Sequence, residues 1–169
     1  MNKQEFFLLI PAIIYGVAVV DLMKIFQHRK NYWEVIIWGI YIFMSIVFMW
    51  TELFEKLGNL TTDIKNFFLI IIQSIVMAQV VSVITPEEKD IDTEYYFLSQ
   101  RRRFFLLLAG LGTMNILMEL VVFDDGRPSW MRPIFIILSL ICAFIDKIWL
   151  RTSIWLFLFV TGLYIIFGS

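Results

Sequence analysis

A chain of 169 residues that is 60% hydrophobic, 17% aromatic and only 17% charged carries more apolar surface than a soluble domain of that length can hide; soluble domains run about 45–50% apolar and about 25% charged. The formal net charge of −1 provides no field that would gather nucleic acid. A single cysteine, Cys142, excludes an intrachain disulfide or a cysteine-based metal cluster, and a single histidine, His28, excludes a His–His metal pair.

A helix that crosses a bilayer needs roughly 20 mostly apolar residues. Six stretches approach this, at 6–26, 33–54, 67–84, 104–123, 133–149 and 153–167. They predict an all-α integral membrane protein, one compact bundle of about six transmembrane helices spanning 1–169. Short loops join the helices, with one longer charged loop at 85–103.

In the first stretch, Lys3 and the apolar run 6–20 have the outline of a secretory signal. Asp21, Lys24, Arg29 and Lys30 follow with no small-residue cleavage pattern, so we read a retained span. Pro11 sits one turn in, where a neighbour or a kink must absorb its missing N–H. The second stretch has Trp33 and Trp50 near its two ends, as interfacial aromatics do. In its extension toward 59–61, Asn59-Leu60-Thr61 fits the glycosylation pattern, which carries no meaning in a bacterial protein.

The third stretch holds Gln73, Ser74, Gln79 and Ser82, with Gln73 and Gln79 on different helical faces. Thr85-Pro86-Glu87-Glu88 then predicts a helix start, with Thr as the cap, Pro in the first position and Glu in the third. Residues 93–103 contain neither Pro nor Gly and should extend the fourth helix beyond the membrane. Tyr95, Tyr96 and Phe97 then fall at the lipid boundary or on a partner. Gly110 and Gly112 lack the GxxxG spacing of tight helix pairs.

Asp124-Asp125-Gly126-Arg127-Pro128 predicts a turn. The fifth and sixth stretches are separated only by residues 150–152 and should form a tight hairpin. The sixth, at fifteen residues, reaches about 23 Å. The ending Phe167-Gly168-Ser169 matches no lipidation or retention signal.

Orientation follows from lysine and arginine in alternate loops. One side collects Lys24, Arg29, Lys30, Lys89, Arg101, Arg102, Arg103, Lys147 and Arg151. The other collects Lys3, Lys56, Lys65, Arg127 and Arg132. Nine against five places 85–103 in the cytoplasm and both termini outside, as in a bacterial inner-membrane protein. A shift of 98 lays Phe6 on Phe104, Asp21 on Glu119 and Arg29 on Arg127, in the opposite sense expected of inverted transporter halves. The third and sixth stretches do not keep that offset, so no repeat is assigned.

The candidate functional residues are acids at membrane depth. A carboxylate at the bilayer centre costs about 2.5–3.5 kcal/mol, so it faces a cavity or a partner. Asp21 lies three residues before Lys24, the spacing of an interfacial ion pair, and Asp146 lies beside Lys147 and five residues before Arg151. Glu119 has no basic residue within four positions and is the most isolated acid, whereas Glu52, with Glu55 and Lys56, has the setting of a solvated cap. Asn115, four residues before Glu119, shares its face. With Gln73 or Gln79 opposite, these residues would form a small polar cluster.

Arg101, Arg102 and Arg103 read as a topology anchor that attracts anionic lipid headgroups. The acids Glu87, Glu88, Asp90, Asp92 and Glu94 are alternative partners for them. His28 reads as an exposed loop residue, and Cys142 as lipid-facing or packed. There is no HExxH, no GxSxG and no phosphate-binding glycine loop. The sequence therefore predicts no catalysis, no metal and no cofactor.

The best-supported expectation is an oligomeric channel or transporter for protons or small cations, using Glu119, Asp21 and Asp146. The alternative is a non-catalytic membrane subunit that docks a partner through 85–103. The expected partners are the lipid bilayer and further copies of the chain.

Overall fold

The structure, a computed structural model, describes residues 3–27, 32–55, 64–87, 91–122 and 130–167, with side chains described from 8 to 161. Some expectations fall outside these residues: His28, Arg29 and Lys30, Lys56, the 59–61 pattern, Glu88 to Asp90, and the 124–128 turn.

The helices are α1 (Lys3–Ile25), α2 (Trp33–Glu55), α3 (Ile64–Ile84), α4 (Thr93–Leu117), α5 (Met131–Phe144) and α6 (Ile148–Phe167). A π-helical turn, Met118–Val122, continues α4. Leu8–Ile25, Trp33–Glu55, Ile64–Ile84 and Thr93–Val122 are long and apolar enough to cross a membrane. Met131–Phe144 and Ile148–Thr161 are shorter apolar helices. The protein is a helical membrane bundle. Ile13, Val17 and Val20 on α1, and Leu156 and Val160 on α6, are each more than half exposed, as lipid-facing side chains are.

The expected fifth span is corrected. It divides at Ile145–Lys147, not at 150–152. Ile145 is extended (φ −102°, ψ 115°), and its N–H closes α5 onto the Ile141 carbonyl at 2.8 Å. Lys147 then offers its carbonyl to the N–H groups of Leu150 and Arg151, which starts α6. Asp146 is held at this break by two arginines, described below. α5 is left with 14 residues, about 21 Å, while α6 has 20, about 30 Å.

The helix start expected at Thr85 is also corrected. Thr85 ends α3, because both its N–H and its hydroxyl donate to the Val81 carbonyl, at 3.1 and 3.0 Å. Pro86 disfavours the helical conformation for the residue before it. The start lies at Asp92, whose carboxylate accepts from the N–H groups of Glu94 (3.0 Å) and Tyr95 (3.4 Å). Residues 93–103 do continue into α4, as expected.

α4 packs most extensively on α5 and α3, and α1 on α3. Gly112 makes the α4–α5 approach possible. A Cβ there would lie 2.8 Å from Ile136 Cγ1 and 2.9 Å from Phe135 Cδ1, whereas one on Gly110 would meet nothing within 4 Å.

Phe97, expected at the lipid boundary, is fully buried, although Tyr95 is exposed. Phe97 belongs to an aromatic cluster with Trp38, Phe104 and Phe105. Ring centroids are 5.7 Å apart for Trp38–Phe104, 5.1 Å for Trp38–Phe105, 5.0 Å for Phe104–Phe105 and 5.8 Å for Phe97–Phe104. Such edge-to-face pairs add about 0.5–1.5 kcal/mol each beyond burial.

The charges lie at two levels. Glu34 and Glu52 are eighteen residues apart on α2, and Arg101 and Glu119 are eighteen apart along α4 and its π turn. At 1.5 Å per residue each pair is separated by about 27 Å, close to the roughly 30 Å hydrocarbon core of a bilayer. The acids thus sit near the two ends of the bundle and not at its middle.

An intramembrane cavity with a charged end

At the Glu52 end, three helices converge on one guanidinium. Arg132, in the first turn of α5, places Nη2 2.6 Å from Glu119 Oε1 and 3.5 Å from Glu52 Oε1. Glu119 is 6% exposed and stands in the π-helical turn. A π turn shifts the face that later residues present, and such turns are frequent at functional sites. The isolation expected of Glu119 is therefore corrected. Its cation comes from another helix, thirteen residues on, beyond the reach of local spacing. Glu52 is not a solvated cap either, since its side chain is largely buried beside the same arginine.

One turn inward from Glu119, Asn115 accepts a hydrogen bond from Gln73 Nε2 at 2.6 Å, which joins α4 to α3. Of the expected polar cluster, Gln73 and Asn115 are joined. Gln79 is exposed and takes no part in it.

Glu52, Asn115, Glu119 and Arg132 bound one end of a cavity of about 360 Å³. It lies between α2, α4, α5 and α6, with Met77 of α3 also on its wall. Its inner walls are Ile42, Met49, Met77, Leu108 and Leu111. Ligand pockets commonly run about 300–1,000 Å³, with mostly apolar walls and a few convergent polar groups. Methionine walls can adapt to the shape of an occupant.

Beyond Ile42 and Leu108 the bundle is filled by Trp38, Phe104 and Phe105, each at most 1% exposed. One half of the bundle therefore contains a cavity, and the other half is packed with rings.

The other candidate residues stand at the opposite end. Asp21 pairs with Lys24, the local ion pair its spacing suggests. Asp146 is not within a span. It sits in the α5–α6 break, 69% exposed, with Oδ1 2.7 Å from Arg151 Nη1 and also against Arg101 Nη1. The Arg101 contact is an ion pair without an aligned hydrogen bond. Arg101 is thus directed toward the α5–α6 break. Arg102 lies 5.0 Å above the Phe144 ring, and Arg103 is exposed.

Among the described residues, the most deeply buried ion pair, Arg151–Glu34, has no signal in local sequence spacing. Arg151 Nε and Nη2 donate to the two oxygens of Glu34 at 2.9 and 3.0 Å, and the side chains are 2% and 1% exposed. The Tyr32 hydroxyl donates to Glu34 Oε1 at 3.0 Å. Burial, followed by the Glu34 carboxylate, pushes the Tyr32 phenol up to about 12, so it remains a donor. Arg151 passed as a loop residue because the break was expected at 150–152.

No protein-family model matches this chain, and neither a curated protein nor a solved structure matches it. The chemistry of the site therefore stands on its own geometry. The cavity offers a flexible apolar wall, one strong hydrogen-bond donor in Arg132 and two carboxylate acceptors, all at the same end.

Proposed function

We propose that this membrane protein binds a small amphipathic solute in its cavity, as the substrate site of a transporter. The observation that carries this reading is the cavity of about 360 Å³, with Glu52, Glu119 and Arg132 at one end and mostly apolar walls elsewhere. The apolar part of a solute would lie against Met49, Met77 and Leu111. Its polar part would exchange hydrogen bonds with the charged end.

This reading departs from proton or cation conduction. Conduction would call for an uncompensated carboxylate at Glu119, and Arg132 stands 2.6 Å from it. The aromatic cluster also fills the half of the bundle through which an ion would have to continue. Docking of a protein partner through 85–103 is less favoured, because Arg101 and Arg102 are engaged with Asp146 and Phe144. The reading needs neither catalysis nor a cofactor, and the cavity lies within one copy of the chain. The lysine and arginine bias would place its charged end on the outer face.

The test is native mass spectrometry of protein released directly from its own membranes. Wild type should carry a bound species of small mass. Met49→Trp, which fills the cavity, should lose it while keeping wild-type helix content. Wild type that carries nothing would contradict the reading.

A further inference from the structure

The cavity is one leaflet deep. On α2 its wall runs from Glu52 through Met49 and Ser45 to Ile42, and on α4 from Glu119 through Asn115 and Leu111 to Leu108. The ends are ten and eleven residues apart, about 15 and 17 Å. A bilayer core of about 30 Å has leaflets of about 15 Å.

The polarity of the wall changes along this depth as a leaflet does. Charged groups stand at the boundary, Asn115 and Ser45 line the wall further in, and Met77, Ile42 and Leu108 line the inner end with Tyr41. The inner end stops at Trp38, Phe104 and Phe105. An amphiphile in the adjoining leaflet already has this orientation and depth.

We infer that the occupant is a single-chain lipid. Its chain points to the bilayer centre, and its small neutral head, able both to donate and to accept hydrogen bonds, sits at Glu52, Arg132 and Glu119. The inference rests on the solute-binding reading above and names the solute's class. One chain is required because about 360 Å³ is near the lower limit of ligand pockets. Glu52, Glu119 and Arg132 line this end as two acids paired with one guanidinium, so the head that suits it is neutral and able both to donate and to accept. A hydroxyl-bearing head such as a monoacylglycerol's does both. A head that is itself a carboxylate meets like charge twice.

The experiment uses the full-length protein in nanodiscs and two photoreactive monoacylglycerols. One carries a diazirine at the chain end, the other on the carbon next to the head. The chain-end probe should label peptides containing Ile42, Met77 or Leu108. The head-side probe should label those containing Glu52 or Arg132. Met49→Trp should reduce both signals several-fold, and Leu111→Phe serves as a second filling variant should the first misfold.

Labelling in the reversed order would overturn the inference while leaving solute binding intact. Equal labelling by a fatty acid carrying the same diazirine would overturn the assignment of a neutral head. Labelling confined to outer positions such as Val17 and Leu156 would overturn the single-chain occupant. Native mass spectra with no bound species would then remove the solute-binding reading as well.

Discussion

Arg132 reaches from the first turn of α5 to Glu119 in the π-helical turn after α4, with 2.6 Å between Nη2 and Oε1. The contact stands at the charged end of the cavity and ties together two helices joined by a connection at 123–130. Glu52 of α2 joins the same guanidinium at 3.5 Å.

Removing one partner of a mostly buried ion pair leaves the other charge stranded, at a cost of roughly 3–5 kcal/mol. Arg132→Ala should therefore lower stability by about 3 kcal/mol. Arg132→Ala combined with Glu119→Gln should recover part of the loss. Thermal unfolding in detergent, followed by circular dichroism, measures both. An Arg132→Ala midpoint equal to wild type would show that the pair does not hold these helices.

The Glu34–Arg151 pair should be more sensitive to geometry than to charge alone. Lysine keeps the charge but loses the two-pronged donor, so Arg151→Lys should destabilise by about 2–3 kcal/mol. Asp146→Asn should cost less than about 1 kcal/mol, because that carboxylate is 69% exposed. The order of the two unfolding midpoints checks the assignment of the buried partner.

Gly110 and Gly112 form a matched pair two residues apart. Gly112→Ala drives a Cβ to within 3 Å of Ile136 and Phe135 and should cost about 1–3 kcal/mol. Gly110→Ala meets open space and should gain roughly 0.5–1 kcal/mol from reduced chain freedom. Equal effects at the two positions would contradict the close α4–α5 contact.

Asp92 and Thr85 distinguish the two possible starts of α4. Asp92→Ala should cost about 1 kcal/mol through loss of the cap. It should also speed hydrogen exchange at the Glu94 and Tyr95 amides. Thr85→Ala should leave those two amides unchanged, because Thr85 bonds back to Val81.

The helices were legible because runs of about 20 apolar residues have one structural outcome in lipid. The Asp21–Lys24 pair and the Asn115–Glu119 face were legible because helical spacing alone sets them. Three features were hidden for physical reasons. Glu119 looked isolated because its cation lies on another helix. The break at Ile145–Lys147 falls inside an apolar run and is marked only by Asp146 and Lys147. Glu34, beside the interfacial Trp33, gave no sign of its burial, since its partner is 117 residues away. The cavity itself is a property of helix packing and leaves no periodic trace.

The proposed site is closed halfway through the bundle, which would make the bundle a binding site and not a pore. The measurement is the decay of a potassium diffusion potential in proteoliposomes, read with a potential-sensitive dye, for wild type and Glu119→Gln. The account predicts that both hold the potential as well as protein-free vesicles do. It also predicts that Phe104→Ala with Phe105→Ala, which thins the aromatic barrier, loses it faster. A wild-type leak that disappears in Glu119→Gln would contradict the account and restore Glu119 as part of a conduction path.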